Sequence, residues 1–153
     1  MRWMIALFLG LGLTTPAWAD SCFVRKYSAE HLRKNPNQNV SEMRLRLMES
    51  PERWATAIVR FRDTKKEYRQ SFGCYDPDQK EYPGYFVSCS VDCDGGFFVA
   101  RKRGKDAILV KVPWGFIVSG GCGAEDEDIR NVNDTGAEGT TFKLYRSELS
   151  ACK

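Results

Sequence analysis

Six cysteines, all downstream of a predicted secretion signal, constrain the fold of this chain more than any other feature of its sequence. Cysteines of secreted proteins pair as disulfides because the compartments outside the cytoplasm are oxidising. The even number therefore predicts a domain held together by three disulfide bridges. The six residues are Cys22, Cys74, Cys89, Cys93, Cys122 and Cys152.

Residues 1–19 have the three parts of a cleavable signal peptide. Arg2 supplies the positive start, residues 4–13 are apolar, and residues 17–19 read Ala-Trp-Ala, an A-x-A cleavage site. A membrane-spanning helix needs about 20 apolar residues, and no segment of the chain is that long. We expect cleavage between Ala19 and Asp20, a periplasmic or secreted protein, and no membrane span. A lipid anchor on Cys22 is the competing interpretation, and the Asp and Ser that precede this cysteine fit it poorly.

Position along the chain favours one pairing among those that six cysteines allow. A bridge between Cys22 and Cys152 would join the two ends of the mature chain and close the longest loop. Cys74 ends one expected strand and Cys89 lies in the next, so a cross-strand bridge is feasible. Elimination pairs the two that remain, Cys93 and Cys122.

Zinc is the alternative use of these thiols, because Cys89 and Cys93 have a spacing found in zinc sites. A second ligand pair at short spacing is missing, and His31, the only histidine, is distant in sequence. We therefore expect neither a metal nor another cofactor. Triads of the Ser-His-Asp or Cys-His type also need a histidine, and His31 lies in a polar segment that is expected to be exposed. We predict no catalytic residue.

The charge balance excludes one class of partner. The chain has 23 Lys and Arg against 20 Asp and Glu, and one of the basic residues, Arg2, belongs to the signal. Nucleic-acid binders usually have a strongly basic face, so no nucleic-acid partner is expected. Residues 20–153 have the length of one domain, which is about 100–200 residues. We expect a single secreted β-rich domain.

Apolar and polar residues alternate along most of the chain, which is the period of β-strands with one buried face. Turn signals such as Asp94-Gly95-Gly96 separate the alternating segments. A short helix over Ala29–Lys34, capped by Ser28, is the exception. The sequence predicts a mainly β fold of seven or eight short antiparallel strands, either a barrel-like meander, which we prefer, or a two-sheet sandwich. The expected strands cover residues 43–47, 55–62, 68–74, 85–93, 97–103, 107–112, 116–119 and 140–145.

Arginines recur on the expected outer face of three consecutive strands, opposite the apolar residues, with Glu67 nearby. Like charges across neighbouring strands repel, so such a cluster needs solvent, interleaved acids or an anionic partner. The planar guanidinium suits a phosphate, a carboxylate or an anionic glycan. An ordinary charged outer face is the simpler interpretation. The candidate ligand-binding residues are Arg44, Arg46, Arg60, Arg62 and Arg69.

An acidic loop over residues 123–138 contains the oxygen ligands that calcium prefers, including Glu125 to Asp128 and Asp134. No ordered ligand pattern accompanies them. The sequence leaves open whether this loop binds calcium or is only solvated.

Four segments resemble those of small secreted bacterial proteins of uncharacterised function. They are His31–Val40, Val91–Gly96, Gly121–Gly123 and Phe142–Leu144. The resemblance implies a bacterial, periplasmic setting, and it implies neither an activity nor site residues.

These observations favour a non-enzymatic binding domain of the cell envelope or the extracellular space, in one version for an anionic ligand at the arginine face. One alternative is a protein inhibitor of an extracellular enzyme, which would present a rigid loop such as 76–84 or 120–139. Another is a hydrolase that uses carboxylates alone, in which two carboxyl groups would face a cleft.

Overall fold

The computed structural model describes residues 20–49, 52–118, 129–133 and 140–153. Within these residues eight antiparallel strands close into a barrel, in which each strand lies beside its neighbours in chain order. The barrel strands are β1 (Ser21–Lys26), β2 (Val40–Met48), β3 (Trp54–Phe61), β4 (Glu67–Tyr75), β5 (Val87–Ser90), β6 (Phe97–Lys102), β7 (Ala107–Val112) and β10 (Thr140–Ser147). β1 pairs with both β2 and β10, which completes the closure.

Four shorter elements accompany the barrel. Helix α1 (Ala29–Lys34) connects β1 to β2, with the Ser28 side chain accepting a hydrogen bond from the backbone N–H of His31. Strands β8 (Ile117–Val118) and β9 (Arg130–Asn131) form a separate two-stranded sheet. A 3-10 helix (Leu149–Cys152) ends the chain. No helix in the described part of the chain is long and apolar enough to cross a bilayer.

The alternation that predicted the strands also fills the barrel. On β2, Met43, Leu45 and Leu47 are buried inside, while Arg44 and Arg46 face outward. The antiparallel register with β3 continues this division across the sheet. The predicted β-rich antiparallel barrel is confirmed, and the sandwich alternative is wrong because β1 closes the sheet on itself.

The structure differs from the sequence prediction at three places. β1 was not predicted because its first three residues, Ser21 to Phe23, are all buried, so apolar and polar positions do not alternate there. The strand expected over 85–93 is only Val87–Ser90, since Cys93 and Asp94 have positive φ and form a turn. β9 lies within the segment expected to be one loop, residues 120–139, most of which is outside the described residues.

The two ends of the barrel differ. At the end near α1, the segment after β7 folds back so that Phe116, Val118 and Val132 are buried. The Phe116 ring contacts those of Phe72 and Phe98 edge-on or tilted, at 5.0 and 6.2 Å between centres. At the opposite end, β1 begins and β6 turns into β7.

Two of the three expected disulfides lie in the described residues. Cys22 bonds to Cys152 and Cys74 bonds to Cys89, with Cα atoms 5.8 and 4.1 Å apart. The first bridge fastens the 3-10 helix to the outer face of β1 and β2. No cysteine in the described part of the chain is free. The expected Cys93–Cys122 pair includes Cys122, which lies outside the described residues.

We expect the bridge between the chain ends to contribute more stability than the cross-strand bridge. The bonded cysteines are 130 residues apart in the first case and 15 in the second, and a longer closed loop removes more entropy from the unfolded chain. Cys22→Ser/Cys152→Ser should lower the free energy of unfolding by about 4–5 kcal/mol and Cys74→Ser/Cys89→Ser by about 3 kcal/mol. Urea titrations followed by tryptophan fluorescence measure both. An equal loss, or the reverse order, would contradict this ranking.

Candidate functional site

The arginines predicted to form a binding face are largely engaged by the protein itself. Glu42 lies between Arg44 and Arg60, with 3.2 Å from its Oε1 to Arg44 Nε and 3.1 Å from its Oε2 to Arg60 Nη1. Glu67 accepts hydrogen bonds from the same two arginines. Glu42 and Arg44 are 13% and 15% exposed. The four side chains therefore form a network of alternating charge, in which Glu42 and Arg44 are mostly buried and Arg60 and Glu67 are 33% and 40% exposed, so the repulsion between strands does not arise.

The other three predicted arginines lie apart from this network. Arg46 donates to Asp20 at 2.7 Å. Arg62 lies just beyond β3, so it is not part of the strand face, and its Nη1 donates to backbone carbonyls after α1, including that of Pro36 at 3.0 Å. Arg69 is exposed opposite Ile58 and has no ion pair within the described residues. The structure thus brings Arg44 and Arg60 together through carboxylates and does not assemble five free guanidiniums.

A cavity of about 300 Å³ opens at the barrel end opposite α1. Its floor contains the buried side chains Phe23, Leu47 and Ile108, with the half-buried Phe86 at one side. Ser21, Gly104 and Ala107 complete the wall. Ligand pockets start at about 300 Å³ and are mostly apolar with a few polar groups. This cavity is large enough for one small molecule.

Three basic side chains surround the opening of this cavity: Lys102, Lys105 and Arg146. None of them forms an ion pair within the described residues, and no carboxylate is among the described residues that line the cavity. The Arg146 guanidinium lies 5.2 Å from the centre of the Phe23 ring. The opening therefore combines an apolar floor with uncompensated positive charge.

Strand register explains why two of these cations point toward the opening. Lys102 continues the inward-facing series of β6 after Phe98 and Ala100. Arg146 continues that of β10 after Phe142 and Leu144. Each series is apolar inside the barrel and becomes basic where the strand reaches solvent.

We did not predict this site from the sequence. The alternation of inward-facing positions along β6 and β10 could have shown that Lys102 and Arg146 continue the inward faces of their strands. The alternation does not show that the ends of β6 and β10 lie beside the start of β1 at one opening.

Neither the histidine nor a cluster of metal ligands gives a second site in the described residues. His31 hydrogen-bonds through Nε2 to Gln38 at 3.0 Å and stacks on Tyr27. In the described ranges no three His, Cys, Asp or Glu side chains are grouped closely enough to hold a metal ion. The calcium question stays open, since only residues 129–133 of loop 123–138 are described.

The chain matches no protein-family model, no curated protein and no solved structure. The resemblance to small secreted bacterial proteins therefore stays a prediction. Any functional conclusion depends on the geometry of the barrel itself.

We expect the charge network on β2 to β4 to stabilise the fold. Glu42→Gln removes the negative charge between Arg44 and Arg60 and should lower the free energy of unfolding by about 1–3 kcal/mol, because the ion pair with Arg44 is lost and the hydrogen bond from Arg60 is no longer charge-assisted on both sides, at a side chain only 13% exposed. Glu30→Gln, which breaks the exposed pair with Lys34 on α1, should cost less than about 0.5 kcal/mol. Urea denaturation of both variants tests this. Equal losses in the free energy of unfolding would show that the network stabilises the fold no more than one exposed ion pair does.

Proposed function

We propose that this protein is a non-enzymatic binding domain of the bacterial cell envelope or the extracellular space. We place its ligand, a small amphipathic anion such as a carboxylate with an apolar body, in the barrel opening. In this proposal residues 1–19 are the signal peptide and are removed before Asp20. The disulfides, which suit an oxidising compartment, support this location.

The observation that carries the proposal is the combination of floor and rim at one cavity. Burying an apolar body on Phe23, Leu47 and Ile108 would supply the hydrophobic part of the affinity. A carboxylate left at the opening would meet Lys102 and Arg146. These cations have no carboxylate of the described chain to displace, so their interaction with a ligand would not be offset by a broken ion pair.

We prefer this opening to the arginine face as the anion site. Arg44 and Arg60 already interact with Glu42 and Glu67, and an anion there would have to compete with two carboxylates. The anionic ligand of the sequence-based hypothesis is thus kept, and its position is changed. The carboxylate-only hydrolase has no support at this cavity, because the described residues that line it include no acid.

Titration with decanoate by calorimetry tests the proposal. We expect binding of one decanoate per chain, and binding at least about ten-fold weaker in Lys102→Gln/Arg146→Gln, since losing a charge-assisted hydrogen bond costs about 1.5–3 kcal/mol. The matched control is Arg101→Gln/Lys143→Gln. It removes the same charge from the same two strands at positions that flank Leu109 on the outer face, and it should leave the affinity within about two-fold.

A neutral ligand of the same chain length, decanol, separates the two parts of the site. The unchanged protein should bind decanol more weakly than it binds decanoate. The Lys102→Gln/Arg146→Gln variant should bind the two ligands with equal affinity. Absence of decanoate binding would refute the proposal. Equal losses in the rim and outer-face variants would show only a general effect of net charge and would also count against it.

A further inference from the structure

Loop 76–86 folds onto the outer face of β5, β6 and β7. Tyr82 packs edge-on against Tyr85 and Phe97, with ring centres 5.9 and 6.1 Å apart. Within the loop, Gln79 Nε2 donates to the carbonyl of Tyr85 at 2.8 Å, and the N–H of Gly84 donates to Gln79 Oε1 at 3.1 Å. Burial, helped by a hydrogen bond to Glu81, raises the pKa of Tyr82 to about 12. The loop is therefore held against the outer face of the barrel by ring packing and by its own hydrogen bonds.

Beside this loop the outer wall forms a shallow surface centred on Tyr75, Ser90 and Phe97, which we call the Tyr75 groove. Three adjoining depressions of about 350, 190 and 430 Å³ all include Tyr75. No residue that lines them also lines the cavity at the barrel opening. The groove is thus a separate surface, and an inference from it goes beyond the proposed function.

The Tyr75 groove exposes three large aromatic side chains to solvent. Trp54, Tyr75 and Trp114 are 41%, 51% and 76% exposed. Two of them stand on paired strands, β3 and β4, and Gly73 lies between them with open space where a side chain would be. The Cys74–Cys89 bridge beneath the groove joins β4 to β5. Trp54 and Tyr75 are therefore presented on paired, disulfide-linked strands, in the way that aromatic anchors of protein interfaces are.

The charged residues that line the groove are mostly acidic. They are Glu52, Asp78, Glu81 and Asp94, against one base, Arg53. Arg53 forms an ion pair with Asp76, and Glu52 accepts a hydrogen bond from Trp54 Nε1 at 3.2 Å. Lys111 lies at the edge, with its Nζ 6.0 Å from the centre of the Tyr82 ring. The groove therefore has a negative character, opposite to that of the barrel opening.

We propose that the Tyr75 groove binds a basic segment of a partner protein, whose Lys or Arg side chains stack on the exposed rings and pair with the acids beside them. Cations are attracted to the faces of Trp and Tyr, and complementary charge steers association and selects the partner. A nucleic acid is disfavoured because its phosphates would meet carboxylates. A neutral glycan could stack on the same rings but would not use the acidic surroundings.

A synthetic peptide of alternating Arg and Gly is the probe for this proposal. Its matched control is the same peptide with citrulline for Arg, which keeps the shape and removes the charge. We expect the Arg peptide to bind more tightly than the citrulline peptide by at least about ten-fold, more weakly as salt is raised, and with NMR shift changes centred on Tyr75, Ser90 and Phe97. Calorimetry gives the affinities.

Variants test the rings and the acids separately. Trp114→Ala and Tyr75→Ala should each weaken binding of the Arg peptide by about ten-fold or more. Tyr145→Ala, which removes an exposed ring (41%) on β10, away from the groove, should have less than about a two-fold effect. Glu81→Gln/Asp94→Asn should reduce both the affinity and its salt dependence. The affected side chains are exposed, so circular dichroism should show an unchanged fold.

Three results would overturn the proposal. The first is absence of binding, or equal binding of the Arg and citrulline peptides. The second is an equal effect of Tyr145→Ala and Trp114→Ala. The third is tighter binding of a neutral oligosaccharide, chitohexaose, with the same shift changes, which would make the groove a glycan platform. Because decanoate binding is measured at other residues, each of these results leaves the proposed function unaffected.

Discussion

The pairing of β1 with both β2 and β10 is the interaction on which the rest of the structure depends. Without β1, the sheet would have two open edges whose N–H and C=O groups lack partners, a state prone to aggregation. β1 pairs in register with six residues of β2 and three of β10, and so covers both edges. Its Phe23 closes the apolar interior, and Cys22 ties it to the 3-10 helix. Since Ser21 and Phe23 also line the cavity, the same strand creates the closure and the candidate site.

Closure also decides what each basic side chain can do. On the outer face Arg44 and Arg60 meet Glu42 and Glu67 from neighbouring strands, and their charges are balanced within the sheet. Where β6 and β10 end, the inward positions face an opening whose described lining contains no acid, so Lys102 and Arg146 stay uncompensated. A chain with nearly equal numbers of acids and bases can therefore have one basic opening and one acidic aromatic groove.

The strands that could be predicted from the sequence are those with one face in the barrel interior and the other face in solvent. On β2 and β3, apolar residues face the interior at every second position, so the alternation indicated the strands. The segment of β1 has no such alternation, because Cys22 faces outward yet is buried by its disulfide and the 3-10 helix. β5 is shorter than its pattern suggests because Cys93 and Asp94 leave the extended conformation. Local pattern therefore failed where a distant segment covers the strand or a turn interrupts it.

The sequence by itself determined the class of fold and which residues can form a buried strand face, because both follow from local period. Position along the chain favoured the bridges Cys22–Cys152 and Cys74–Cys89, and the structure shows them. Only the tertiary structure decided which arginines are balanced by acids and which cations surround a cavity. Lys102 and Arg146 are 44 residues apart in the chain, and they share one opening only because the barrel closes. Electrostatic compensation depends on distance in space, and in this protein the register of the closed sheet sets that distance.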